Sequence, residues 1–324
     1  MVVLSLTAAL SAAGLAGAAA LVNTQAGRRE AEWMAAHPPL GEIVTVEGRP
    51  VHLLQTGRAP GIAPTVVLIH GANGNLRDFT FDLVGRLEPE FRVIAVDRPG
   101  LGWSASWGEA DSDPAEQARI LRAALVQIGV RRPIVLGHSY GGAVAMAWAL
   151  QAEADTAALV LLGAATHPWD GFGLGLWYAL NTTAIAAPAR AVVSAFVPDL
   201  TVRATLAQVF APDPVPEGYH AHFGTGLSLR RDSQTNNARQ VNALLEHVTR
   251  MQPHYAGLRL PIEAVHGDAD TIVAIDIHAR RLVAEVDSAR LTVLHGTGHM
   301  PHHSQPEAVI EAIRRAGRRA AAIG

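Results

Sequence analysis

The chain has 324 residues, 49% of them hydrophobic and 17% charged, with a formal net charge of −3. That balance excludes a disordered or collagen-like chain and lacks the basic footprint of a general nucleic-acid binder. Cysteine is absent and every basic residue is arginine, which excludes disulfides, thiol nucleophiles, Cys-ligated metals and a catalytic lysine.

Residues 2–27 carry no charge, and residues 2–22 form an Ala/Leu/Val/Gly run long enough to cross a bilayer as a helix. The first expectation is a signal-anchor helix that leaves the protein associated with an inner membrane. Small-residue sites at Ala16-Gly17-Ala18 and Ala18-Ala19-Ala20 admit a cleaved signal peptide, with a secreted or periplasmic product. A soluble Ala-rich helix packed on the domain is the third reading. Arg28 and Arg29 favour a cytoplasmic position for the flank that follows.

From about Leu40 strands and helices alternate. Residues 42–46 and 51–54 read as a hairpin around Glu47-Gly48-Arg49-Pro50. Apolar β-branched runs follow at 65–69, 92–96, 133–136 and 158–162, separated by helical stretches at 78–87, 114–128 and 142–151. Continuous apolar strands between helices predict an α/β fold, a mostly parallel central sheet covered on both faces. Two more strands are expected at 262–265 and 291–294, then a last helix with Ser304 as N-cap, Pro306 in its first turn and Glu307 completing a capping box. Arg314, Arg315, Arg318 and Arg319 read as a solvated face of that helix. Residues 167–250 break the alternation and read as a helical cap or lid inserted into a core of residues 40–166 and 251–324. Helices are expected there at 200–209 and 237–251. Its aromatics, Trp169, Phe172, Trp177, Tyr178, Phe196, Phe210, Tyr219 and Phe223, read as packing of the cap onto the core.

Gly137-His138-Ser139-Tyr140-Gly141 stands between an apolar strand and an Ala-rich helix, the setting of a nucleophile elbow. Ser139 must take a strained backbone there to point its hydroxyl outward, and the helix N-terminus beneath it favours a developing anion. A serine hydroxyl needs a base. Among 15 histidines, placement selects His299, in the loop after the last strand. His302 and His303 read as solvated or packing, and the His138 side chain should point away from the tip of the elbow. A carboxylate must hold the imidazole. Asp270, farther out on the loop after strand 262–265, is chosen over Asp268, which reads as a loop holder, and over Asp170. Backbone amides of Ala72 and Tyr140 are the expected oxyanion donors. His70, Gly71 and Asn73 shape the turn beside them.

The chain resembles the α/β-hydrolase superfamily, in the serine hydrolase branch with a helical cap. The resemblance rests on His70-Gly71, on Asp97-Arg98-Pro99-Gly100-Leu101-Gly102-Trp103-Ser104, on residues 137–142 and 267–270, and on Gly298-His299. It implies a structural part for residues 97–104, with no catalytic role for Asp97. Serine at the elbow sets it apart from dehalogenases and epoxide hydrolases of this fold, which use aspartate, and points to esterase- or lipase-like activity. The expected function is cleavage of carboxylic esters through Ser139, His299 and Asp270 and an acyl-enzyme. The alternatives are carbon–carbon bond hydrolysis, a cofactor-free perhydrolase, or an inactive membrane-tethered binding module. No metal or organic cofactor is implied. The expected partners are a small-molecule ester, lipid-like in one version, and a membrane through the N-terminal segment, with no nucleic acid.

Overall fold

The structure is a computed structural model describing residues 2–170, 178 and 181–322, with side chains from residue 13 onward and Ala184 excepted. Among these residues eight strands make one sheet: β1 Glu42–Val46, β2 Arg49–Gly57, β3 Thr65–Ile69, β4 Arg92–Val96, β5 Ile134–His138, β6 Ala158–Leu162, β7 Ile262–Gly267 and β8 Ala289–Leu294. The order is β1-β2-β4-β3-β5-β6-β7-β8. β2 runs antiparallel to β1 and β4, and the other pairs are parallel. The hairpin turns at Glu47 and Gly48, both at positive φ (52° and 77°), as a two-residue turn of the favoured hand requires. β4 to β7 are buried at every position, which is why their sequences are mostly apolar rather than alternating, with Arg92, His138, Glu263 and His266 as buried polar exceptions.

The helices are α1 Val2–Ala36, α2 Arg77–Thr80, α3 Leu83–Leu87, α4 Pro114–Gln127, α5 Tyr140–Ala152, α6 Ala187–Phe196, α7 Asp199–Phe210, α8 Tyr219–Phe223, α9 Arg231–Met251, α10 Ala279–Glu285, α11 Pro301–Ser304 and α12 Pro306–Ala321. α4 and α5 bury their apolar faces on one side of the sheet, together with Val241, Leu244 and Val248 of α9. α3 and α12 do so on the other. α4 begins as its sequence demands: Asp113 accepts the Ala115 amide at 2.8 Å, and Pro114 fills a first-turn position that needs no amide donor. α6 to α9 form a helical insertion between β6 and β7.

Several expectations are corrected. The predicted helix 78–87 is two short turns, α2 and α3, interrupted at Asp82, whose backbone (φ −145°, ψ −51°) leaves the helical region. Ser304 is not the N-cap of the last helix. Its hydroxyl donates to the Met300 carbonyl, Gln305 holds the cap position, and Glu307 accepts from Arg86 instead of closing a box. Only half of the arginine face of α12 is solvated: Arg315 and Arg319 grip the buried Glu263, whereas Arg314 and Arg318 stay at the surface, paired with Glu90 and Glu311. Of the cap aromatics, Phe210, Tyr219 and Phe223 are buried, whereas Phe196 is 57% exposed. Phe172 and Trp177 lie outside the described residues. α1 continues past the apolar run to Ala36. Among the described residues no helix is long and apolar enough to cross a membrane, and residues 2–12 of the expected span carry no described side chains.

Candidate active site

β5 delivers Ser139 at its carboxyl end, and α5 starts at the next residue. Ser139 has φ 53° and ψ −117°, a conformation that costs a non-glycine residue about 1–3 kcal/mol and persists only where its surroundings enforce it. They do: its amide donates to the Leu162 carbonyl at 2.9 Å, and its carbonyl accepts from Gly142 and Ala165 at 2.9 and 3.2 Å. The tight turn also requires Gly141, where a Cβ would stand 2.2 Å from the Ile69 carbonyl oxygen.

Ser139 opens into a cavity of about 690 Å³ whose wall also includes Gly71, Ala72, Asp78, His138 and His299. Most of the remaining wall is apolar, with Val193, Val197, Val202, Leu206, Val209 and Phe210 supplied by α6 and α7 and the turn between them. His299 is buried, and its Nδ1–H donates to Asp270 Oδ2 at 2.7 Å. The second oxygen of Asp270 accepts the amides of Ile272 and Val273 at 2.8 and 2.9 Å. Burial alone would raise the Asp270 carboxyl. Hydrogen bonds from His266 and His299 and the Val273 amide outweigh that and hold it well below the usual carboxylate range. The pair is therefore built to keep one tautomer of His299, with Nε2 free to accept a proton.

Of the carboxylates weighed in the sequence, only Asp270 meets His299. Asp268 binds His295 and the Gly296 amide, as a loop holder should. Asp170 is exposed. Ala72 lines the cavity, and Gly71 before it packs on Ser139 so closely that a Cβ there would stand 3.1 Å from the serine Cβ. Tyr140 buries its ring and opens α5, where a helix's first amides have no acceptor within the helix. Asn73 sits at φ 52°, as a turn residue, and ties the loop to the insertion: its amide donates to Asn237 and its side chain to Tyr178.

His138 does not point away from the site. It lines the cavity and donates Nε2–H to the His299 carbonyl at 2.9 Å, joining the elbow to the histidine loop. His302 and His303 are not solvated. Both donate Nε2–H to Asp78, at 3.1 and 2.8 Å, and Tyr219 donates to it at 2.8 Å. These groups offer three metal-ligand atoms within 4.8 Å of one another. The buried Nδ1 of each histidine has no partner, whereas a metal-bound imidazole normally donates from its second nitrogen. The cluster reads as a hydrogen-bonded cradle for a buried carboxylate.

Sequence reasoning missed Arg98. It is wholly buried, donates to the carbonyls of His70 and Gly71 at 3.0 Å, reaches Gln117 and Gln240, and stacks 4.2 Å over the Tyr140 ring. It thus clamps both segments that carry the candidate oxyanion amides. The Arg-Pro-Gly motif after β4 was the available signal. Burial lowers its guanidinium to about 10, still charged at neutral pH. Arg98→Lys keeps the charge but loses the planar fork. It should lower kcat on a soluble ester by up to about a hundredfold through misplaced amides, with KM nearly constant. An unchanged kcat would remove Arg98 from the site.

The same interior makes the fold acid-labile. Burial, helped by the Arg98 charge, pulls His70 down to about 4, and burial pulls His278 down to about 3. His138 and His302 are lowered for the same first reason. Each stays neutral in the fold, while the unfolded chain takes up its proton below the ordinary value of 6.5. Stability is full above about pH 6.5 and falls as pH drops toward 4, His70 alone accounting for about 3 kcal/mol. A Tm series should fall through that window. A flat Tm would contradict the buried neutral histidines.

Comparisons with known proteins agree with the fold. Residues 66–312 match the family described as "Alpha/beta hydrolase family". A 2-hydroxy-6-oxononadienedioate/2-hydroxy-6-oxononatrienedioate hydrolase of Klebsiella pneumoniae is 27% identical over 72% of this chain and 80% of its own length. The crystal structure of the esterase RhEst1 from Rhodococcus sp. superposes with a TM-score of 0.64 at 23% identity, covering 86% of this chain and 98% of that one. A structure described as a bacterial membrane phospholipase A superposes at 0.63 and 21% identity over 97% of this chain and 99% of its own.

Proposed function

Because the chain belongs to the α/β-hydrolase family, we propose that it is a serine hydrolase of carboxylic esters with an apolar acyl part. The observation that carries the reading is the strained Ser139, at the floor of a largely apolar cavity shared with a buried His299 whose Nδ1 is bonded to Asp270. In this mechanism His299 Nε2 takes the Ser139 proton as the oxygen attacks the acyl carbonyl. The amides of Ala72 and Tyr140 receive the oxyanion. His299, its cation steadied by Asp270, then protonates the leaving alcohol. Water enters by the reverse path and releases the acid from the acyl-enzyme.

Carbon–carbon hydrolysis is the second reading, favoured by the Klebsiella relative. Its named substrates are dioates and carry two carboxylates. The sequence has no lysine. Among the described residues no arginine lines the cavity, and the one ordinarily charged group in its wall is the carboxylate of Asp78. Moving a dianion into such a site without a counter-charge is costly, so neutral esters suit it better. A panel of p-nitrophenyl esters of rising acyl length, run beside a 2-hydroxy-6-oxo-dienoate, tests the choice. Ester turnover rising with acyl length, and little cleavage of the dienoate, is expected. The reverse order would transfer the assignment to carbon–carbon cleavage.

A further inference from the structure

We propose that the outer face of α6 and α7, together with the projecting half of α1, forms a single surface that docks on a lipid bilayer. α1 has two dissimilar halves. From Asn23 onward it is tied down: Asn23 accepts from Arg231, Glu30 pairs with the same arginine at 2.9 Å, Arg29 donates to the Val197 carbonyl at 3.2 Å, and Ala26 is fully buried. Residues 13–21 are exposed throughout, with Leu15 and Leu21 each 73% exposed. No residue from 2 to 27 carries a charge to hold such a helix in water.

α6 presents the same anomaly, and Leu200 at the start of α7 continues it. On the inside Val193, Val202, Leu206 and Val209 line the cavity. On the outside Val192, Phe196 and Leu200 are 48%, 57% and 78% exposed, and Ile185 just before α6 is 86% exposed, while the exposed Asp199 and Arg203 of α7 pair with each other beside Leu200. Val192 and Phe196 are one helical turn apart and share a stripe. A helix apolar on two sides is not matched to water on either of them, and clustered apolar groups, unlike scattered ones, mark a contact surface. α1 packs along α6, and Arg29 is bonded at the corner between α6 and α7 that Phe196 and Leu200 flank. The two apolar surfaces are therefore neighbours.

The uncharged run and the residue that ends it select the occupant. Apolar surface from α1 continues into the insertion, and the exposed Arg28 stands directly after the uncharged stretch, where phosphate headgroups would meet it. Helices that touched the acyl layer outside would line the cavity inside, giving an apolar ester a short path to Ser139. That consequence rests on the ester reading. The docking itself does not, and it is tested without turnover.

The native absence of cysteine permits single labels. Val192→Cys, Phe196→Cys and Leu200→Cys would each carry a polarity-sensitive fluorophore, with Val126→Cys, 69% exposed on α4, as the control. On mixing the full chain with phosphatidylcholine/phosphatidylglycerol vesicles, emission from 192, 196 and 200 should shift to the blue while 126 stays aqueous. Two results would overturn the proposal: aqueous emission at all three positions with vesicles present, or a blue shift that grows with protein concentration without vesicles, which would assign the face to a second copy of this chain.

Discussion

Ser139→Ala should lower ester hydrolysis by about a millionfold in kcat, the order found when the nucleophile of a triad is removed. The substitution deletes one oxygen at a site whose backbone is held by the Leu162, Gly142 and Ala165 bonds, none of which involves the side chain. The fold should survive, with Tm changing little, because alanine meets the same strained φ as serine. KM should move much less than kcat, since the apolar wall from α6 and α7 is untouched. What remains would reflect the oxyanion amides and the cavity alone. Steady-state kinetics with a p-nitrophenyl ester checks it, and wild-type rates in the variant would end the nucleophile assignment.

Asp270→Asn should cost about ten-thousandfold in kcat while leaving the fold in place. The reason lies in which oxygen does what. Oδ1 accepts the amides of Ile272 and Val273, so an asparagine must keep its carbonyl there and turn its NH2 toward His299. That NH2 can only donate. His299 Nδ1 would have to accept, placing the ring proton on Nε2, where it blocks uptake of the Ser139 proton. Loss of the negative charge also removes what steadies the imidazolium. Asp270→Glu keeps the charge but not the reach and should fall less far. The check is kcat for both variants beside their Tm values. Equal small losses would mean that the carboxylate only holds the loop.

The main parts of the site that could be read in the chain are those whose signal is local. A strand, a tight Gly-x-Ser-x-Gly turn and a helix lie within about twenty residues, so steric demands at Gly141 and Ser139 are visible as letters. β3, β4 and β6 coincide with their predicted runs because strands buried on both faces are apolar at nearly every position, Thr65 and Arg92 at their first residues excepted. What stayed hidden depends on pairs far apart in sequence. Asp78 binds His302 and His303 across more than two hundred residues, so nothing near it in the chain announces the network. Arg98 reads as one more charge in a turn until His70, Gly71, Gln117 and Gln240 are seen around it. His138 closes β5, and the partner that turns its ring toward the site, the His299 carbonyl, lies 161 residues away in the chain. Ser304 has the letters of a cap, but the Pro301 turn before it supplies a carbonyl for its hydroxyl first.

A fluorophosphonate probe followed by peptide mass mapping addresses the central claim directly, since it requires a serine made nucleophilic by its neighbours and no knowledge of the natural ester. The prediction is one covalent adduct, on the peptide that contains Ser139, absent in Ser139→Ala and strongly slowed in Asp270→Asn. An unlabelled chain, or an adduct on a different serine, would contradict it.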